Sequence, residues 1–470
     1  METKTDSPVG EEAQPLDRKL LVLGAVLVPG ALAALLDTTI VIVAIDGLAK
    51  EFGAPVTTIQ WVTTAYLLAM GSVIPLTGWA MDRFGPRTAW LASLSVFFIG
   101  SVLCGVAWSA ESLIAFRVVQ GLGGGMILPL LQAILAQVAG PRRFGRIMAL
   151  VGIPGQLAPI IGPVVGGVIV DQLNWRWIFF VNIPVVGLAI LAGVRGVPRG
   201  ERKKADKLDV TGLALLSPGV VALIFGLSQL GGGGEGHHAS ATAAIVSATL
   251  GVVLLGAFTV HALRRKEASL IDLRLFRKPS FASVSALMFL SGVSTWGSMF
   301  LLPLFYQQAR GLGALDAGLL LAPQGVGIAV AMLFGGRLAD RGTPAWLMVF
   351  SGLTLTALTT VPFALADGQT SDWVLGAALL LRGVGVGVSG IAMMASIYRG
   401  LPESAYGRAT TTTNIIQRVG ASFGTAVLAV ILQSGLTAGG AFDAFGATFW
   451  WSAAFVAIGL VPGLLLAKRA

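Results

Sequence analysis

The sequence predicts an all-α membrane protein of fourteen transmembrane helices, and three observations predict it. Hydrophobic residues make up 55% of the 470 residues and charged ones 12%, against about 25% charged in a soluble domain. Apolar runs of about 20 residues recur between short polar stretches, each long enough to cross a hydrocarbon layer of roughly 30 Å as a helix. The 32 Lys and Arg residues also alternate by loop. The N-terminal tail, every second loop and the C-terminus hold 26 of them, and the loops between hold three, Lys50, Arg176 and Arg310. Short basic loops stay in the cytoplasm, so both termini are expected there, and one missed span would scramble the alternation. The net charge of +9 is thus spread over many loops. It forms no single basic stripe with aromatic partners, and nucleic acid is not an expected ligand.

The expected spans follow in order. Residues 1–19 form a polar cytoplasmic tail of mixed charge without a cleavable apolar core, so span one, 20–48, is itself the targeting element. It carries Asp37 about 25 Å along its length. Asp46, nine residues on and near the outer end, reads as solvated. Span two, 57–80, holds Trp61 and Tyr66 and ends in a Gly-x-x-x-Asp-Arg loop; span three, 88–108, holds Cys104, the single cysteine, which has no internal disulfide partner. Span four, 112–139, sets Arg117 ahead of a glycine cluster, span five, 146–170, contains Gly162, Pro163, Gly166 and Gly167, and span six, 175–194, opens on aromatics. Spans seven and eight, 210–230 and 240–262, are flanked by two loops of six basic residues each and joined outside by a Gly-rich connector at 231–236. Span nine, 281–307, bears Trp296, Phe300, Phe305 and Tyr306; span ten, 315–338, ends in a second Gly-x-x-x-Asp-Arg; span eleven is 345–366. Arg382 lies in span twelve, 373–398, Arg418 in span thirteen, 408–434, and 445–467 closes the series. The three histidines, His237, His238 and His261, form no metal-ligand cluster within the membrane.

Two internal matches divide the chain. Gly78-x-x-x-Asp82-Arg83 recurs as Gly336-x-x-x-Asp340-Arg341, 258 positions on, and Arg117 with Gly121, Gly123, Gly124 and Gly125 recurs more loosely as Arg382 with Gly383, Gly385, Gly387 and Gly390, 265 positions on. Transporters are commonly built from such duplicated bundles. The expected organisation is a tail (1–19), a six-helix bundle (20–196), two inserted helices with basic loops (197–280) and a second six-helix bundle (281–467).

Several segments suggest mechanism. An Asp and Arg pair at a helix end, as in Gly78-Trp79-Ala80-Met81-Asp82-Arg83-Phe84-Gly85-Pro86-Arg87, can make charge-assisted bonds across two halves that must break when the inner side opens; alternatively Arg83 and Arg87 only set topology. An Arg inside a bilayer helix, such as Arg117, costs about 2.5 to 3.5 kcal/mol on insertion scales, so it faces a cavity or a partner, or snorkels outward. In Gly162-Pro163-Val164-Val165-Gly166-Gly167 the proline removes a backbone donor and the glycines permit close packing, which suits a hinge. Asp37 reads either as a proton site or as a structural hydrogen bonder to Thr38, Thr39 or a neighbouring helix. Trp61, Tyr66, Trp296, Phe300, Tyr306, Arg382 and Arg418 are cavity candidates, although aromatics in membrane helices are more often packing or interface anchors.

These loop, fourth-helix and fifth-helix segments resemble signatures of the major facilitator superfamily, the fifth-helix one marking its antiporters, although Ala158 stands where a Gly is usual. Leu36-Asp37-Thr38-Thr39-Ile40-Val41-Ile42-Val43-Ala44 and Trp175-Arg176-Trp177-Ile178-Phe179-Phe180-Val181-Asn182-Ile183-Pro184 are similar to the first-helix and sixth-helix signatures of its fourteen-helix drug:proton antiporters. Ile42 and Asp46 depart from that pattern. The resemblance implies two bundles rocking about a midplane site, with proton and substrate competing for Asp37. It also implies export of small amphipathic or lipophilic compounds (drugs, cationic dyes or biocides, or a natural-product antibiotic), with proton-coupled import of a metabolite as the alternative. No cofactor beyond the proton motive force, no enzymatic activity, a monomer and a multi-pass place in a bacterial inner membrane are the accompanying expectations.

Overall fold

A computed structural model describes residues 17–200, 208–230, 241–265, 269–271, 273–340, 343–402, 405–438 and 440–467. Expectations for the tail before Asp17, the 231–236 connector, His237, His238, Arg341, Lys468 and Arg469 lie outside the described residues, as do the side chains of Asp46, Pro163 and Asp340. The described chain is helical with no strand. Its N-terminal part comprises α1 (Arg18–Ile40), α2 (Ile45–Phe52), α3 (Val56–Val73), α4 (Leu76–Phe84), α5 (Pro86–Gly105), α6 (Ala110–Gln172), α7 (Trp177–Phe180) and α8 (Asn182–Gly196). Two further helices, α9 (Val210–Leu230) and α10 (Ala241–Arg265), precede α11 (Pro279–Leu304), α12 (Ala314–Asp340), α13 (Ala345–Ala364), α14 (Asp372–Ser396), α15 (Tyr406–Ala438), α16 (Ala441–Ile458) and α17 (Leu460–Ala467).

Twelve described helices are long and apolar enough to cross a membrane, thirteen if Thr58–Val73 and Leu76–Phe84, bent by 55°, make one span. The bend falls at Pro75, which cannot donate to the helix ladder. Span one is likewise divided, its outer part running through a 3-10 turn at Val41–Ala44 into α2. The expected span 146–170 is the stretch of α6 beyond Gly140, where φ of 68° breaks the helix. Capping fixes several starts: Asp17 accepts the Lys19 N–H at 3.3 Å, and Ser109 and Ser112 cap one another at the head of α6.

Glycines set the packing within each half. A Cβ on Gly121 or Gly125 of α6 would lie 2.6 Å from the Tyr66 carbonyl or 2.4 Å from the Met70 carbonyl of α3, and one on Gly123 would lie 2.3 Å from the Phe97 nitrogen of α5. The same contacts recur between α14, α12 and α13: Gly383 against the Gln324 carbonyl at 2.1 Å, Gly387 against Ala331 at 2.5 Å, and Gly385 against the Gly352 carbonyl at 2.6 Å. Such approaches exist only because no side chain intervenes. They pair Gly121, Gly123 and Gly125 with Gly383, Gly385 and Gly387, 262 positions on. The 265-position register that equates Arg117 with Arg382 is thereby corrected: Arg382 sits three residues further along its helix, because backbone approach rather than the arginine fixes the register.

The two halves meet toward their basic-loop ends. One apolar cluster there combines Leu23, Phe144 and Ile147 with Phe281, Met393 and Tyr398, and the Phe144 and Tyr398 rings meet edge to face at 4.8 Å. At the opposite ends the apolar clusters are separate, one wholly N-terminal around Ile59, Leu113 and Phe179, the other wholly C-terminal around Phe305, Phe363 and Phe449. The inserted α9 and α10 pack at the seam beside Ile74 of the first half and Ile415 of the second.

Candidate functional site

Asp37 sits on α1 with no exposed surface, although it is an ionisable group surrounded by apolar helices. Three residues on two other helices bring donors to it. From α6, the Arg117 guanidinium forms an ion pair with Oδ2, both side chains being fully buried. Gln120, one turn on, donates its amide to Oδ1 at 2.9 Å, and Asn182, the first residue of α8, donates to the same oxygen at 2.8 Å. Gln120 is itself held by donating to Ser101 Oγ of α5 at 2.9 Å and accepting from Arg117 at 2.6 Å, with Cys104 Sγ at 3.6 Å.

Arg117 is fixed on its other side. Its Nε donates to the Val62 carbonyl at 3.0 Å, and its guanidinium lies over the Tyr66 ring at 3.8 Å to the centroid. The outward-snorkelling alternative is therefore excluded. The carboxylate accepts from N–H donors on both oxygens, an arrangement suited to its ionised, acceptor-only form. A buried pair of this kind is costly to desolvate and strongly destabilising to break on one side. Thr38 and Thr39 do not bond Asp37; each donates to a carbonyl of its own helix, Leu35 and Leu36. Gln120 and Asn182 were assigned no role from the sequence. Their signal was a polar amide within an apolar helix, one at i+3 from Arg117 on the same face.

The loop segment divides between two tasks. Asp82 faces Arg408 of the other half at 3.9 Å, and Gly78 backs onto it, a Cβ there lying 3.3 Å from the Arg408 nitrogen. Gly85, at φ of 84°, makes the turn between α4 and α5. Arg87 does not cross the halves: it donates to the Val197 carbonyl at 2.7 Å, tying α5 to the end of α8, and Arg83 is exposed. A second cross-half contact, Asn414 to Gln132 at 2.8 Å, joins α15 to α6.

In the hinge segment, a Cβ on Gly162 would fall 2.0 Å from Thr39 Oγ1 and one on Gly166 would fall 2.9 Å from Ile40, so α6 lies directly on α1, whereas Gly167 faces open space. The remaining candidates disperse. Trp61 stacks on Phe225 of α9 at 6.0 Å, Tyr306 is buried among Phe305 and Phe363, Trp296 is 51% exposed and Phe300 half-buried. Arg382 is buried in the second half, donating to Ser298, to Thr360 at 3.4 Å and to Gln324 at 3.5 Å. Arg418, on α15, is half-buried.

Residues 27–425 match the family model described as Major Facilitator Superfamily. The chain is 37% identical over 429 residues to the multidrug resistance protein B homolog of Mycobacterium tuberculosis, covering 90% of this chain and 78% of that protein. It is 33% identical to the probable transport protein HsrA of Haemophilus influenzae, covering 92% of each, and 30% identical to the lincomycin resistance protein LmrB of Bacillus subtilis, covering 93% and 88%. Among solved structures, the proton:xylose symporter XylE with a bound sugar analogue superposes with a TM-score of 0.65 at 16% identity, covering 96% and 95% of the two chains.

Proposed function

The chain belongs to the Major Facilitator Superfamily, and on that premise we propose that it is a proton-driven antiporter exporting small amphipathic or lipophilic compounds by alternating access. The multi-pass chain is a membrane transporter of the drug-efflux branch. The observation that carries the coupling is the fully buried Asp37 carboxylate held by Arg117, Gln120 and Asn182. An intramembrane acid is expensive to keep and is by default a functional group.

Contact between the halves at their basic-loop ends supports reading this conformation as closed on the cytoplasmic side. A proton reaching Asp37 from the outer side neutralises it, so Arg117, Gln120 and Asn182 lose the charge they hold. That loosens α1 from α6 and α8. The halves rock, the cross-half contacts Asp82 to Arg408 and Gln132 to Asn414 part, and cargo enters from the cytoplasm as the proton leaves. The multidrug and lincomycin resistance names of relatives support antibiotic-like cargo, and a monomer suffices because the site lies within one chain.

The test is cargo accumulation in everted vesicles, whose cytoplasmic face is outward, with the acid-inside pH gradient intact or collapsed by nigericin. Wild-type export stops when the gradient is collapsed, and Asp37→Asn, inserted to the same level, exports nothing in response to it. Gradient-dependent export by Asp37→Asn would remove Asp37 from the mechanism, and uptake driven by an inward proton gradient would make the protein a symporter.

A further inference from the structure

The charges at mid-membrane depth do not balance. Within the described spans the fully buried carboxylate is Asp37, whereas three guanidinium groups lie inside spans, Arg117 and Arg382 buried and Arg418 half-buried. Arg117 and Asp37 satisfy each other. Asp37 is committed within the first half, since Oδ2 takes Arg117 and Oδ1 takes both Gln120 and Asn182. Among the described residues neither Arg382 nor Arg418 has a carboxylate neighbour; Arg382 is met by neutral oxygens alone, and the titratable neighbour of Arg418 is Tyr66. An unpaired charge at this depth is costly.

Arg418 faces the other half. On α15, Gln417, Gly420 and Gly424 pack on α11, while Ile415 and Val419 pack on the inserted helix α9. Asn414 points between those two faces and hydrogen-bonds Gln132 of the first half. Arg418 is one helical turn beyond Asn414 on the same face, toward the ends at which the halves separate, and within electrostatic reach of Tyr66. It is half-buried, and among the described residues no hydrogen bond holds it.

Resting on the exporter reading above, we infer that Arg418 receives an anionic group of the cargo, a carboxylate or an acidic phenol on an otherwise apolar molecule. Such a group supplies the counter-charge that Arg418 lacks and that Asp37 cannot give. Buried Arg382, in the same half, adds to the positive field. A lipid phosphate offers the same chemistry, but Arg418 lies twelve residues into α15, about 18 Å along the helix and below headgroup depth.

The test uses the purified full chain in nanodiscs with three dansyl amphiphiles of equal chain length, ending in a carboxylate, a carboxamide or a trimethylammonium. The carboxylate probe binds about tenfold more tightly than the carboxamide, roughly 1.4 kcal/mol, and the ammonium probe more weakly than both. Arg418→Gln abolishes the roughly tenfold preference for carboxylate over carboxamide, and Arg418→Lys keeps most of it. Tightest binding of the ammonium probe, equal loss of all probes in Arg418→Gln, or no carboxylate binding overturns the proposal. A preference present only in zwitterionic nanodiscs and abolished by anionic lipid assigns Arg418 to lipid phosphate instead and also overturns it. Proton coupling is read separately, as Asp37-dependent transport of the carboxamide probe, so the exporter reading stands or falls on a different measurement.

Discussion

Replacing Asp37 by Asn leaves the Arg117 guanidinium fully buried without its counter-charge. Breaking one side of a buried pair costs about 3–5 kcal/mol, whereas replacing both partners with apolar groups of similar volume is often neutral. Arg117 keeps its bond to the Val62 carbonyl and its stacking on Tyr66, and the carboxamide oxygen of the variant still accepts one N–H, so the lower end of that range applies. Cys104 is the protein's single cysteine, is fully buried, and lies 3.6 Å from Gln120 in the same cluster. Its alkylation by a thiol dye therefore reports opening of this site. About 3 kcal/mol corresponds to roughly a hundredfold rise in the open population, hence in labelling rate for Asp37→Asn when reclosing is fast. The double variant Asp37→Asn with Arg117→Met regains at least half of the lost protection. Should the double variant label as fast as the sum of the two single effects predicts, the two residues are not coupled and the buried-pair argument fails.

Further outcomes follow from other contacts. Gly162→Ala drives a Cβ into Thr39 Oγ1 and slows transport by separating α6 from α1, while Gly167→Ala, facing open space, leaves transport rates unchanged. Asp82→Asn removes a partly exposed ion pair with Arg408 worth at most about 1 kcal/mol, so maleimide labelling, from the basic-loop side and in a Cys104→Ser background, of Thr411→Cys, a buried position on α15 three residues before Asn414, rises by less than about tenfold. Gln132→Leu raises the same labelling further, because it leaves one Asn414 amide N–H unpaired at the seam, the other still bonding the Thr410 carbonyl. At the foot of the inserted pair, burial pushes the Asp209 carboxyl up, but the Gly212 N–H, His261 and Arg265 outweigh it and hold it below the usual range. A lowered native value stabilises above the unfolded pKa of about 3.9. This contribution is lost as pH falls through the native value, so Asp209→Asn lowers thermal stability at pH 7 but not in strong acid, measured by melting of the purified protein.

Much of the candidate site was legible because it is local. Asp37 and Arg117 were visible as charges where the sequence is otherwise apolar, and the Asp82 loop and the Gly162 segment as compact motifs. Their partners were not. Gln120 and Asn182 are uncharged and common enough in membrane helices to pass as packing residues, and nothing in the spacing says that α6 and α8 converge on α1. Arg87 sits in the same motif as Asp82 yet bonds the end of its own half, because a motif records which residues are near in sequence and not which neighbour they meet. Trp61 was open to either a cavity or a packing role, and its ring stacks on Phe225 of the inserted helix, a neighbour no sequence spacing points to.

The sequence by itself determined the class of the protein. Long apolar runs admit no fold other than membrane helices, since backbone polar groups in lipid must be satisfied within the segment, and the duplicated glycine pattern implied two related bundles. Only the tertiary structure decided the repeat register, the ion pair, and which face of α15 turns toward the first half. Each depends on how helices rotate and approach, and those are settled by backbone contact at glycines such as Gly123 and Gly383 rather than by the side chains that carry charge.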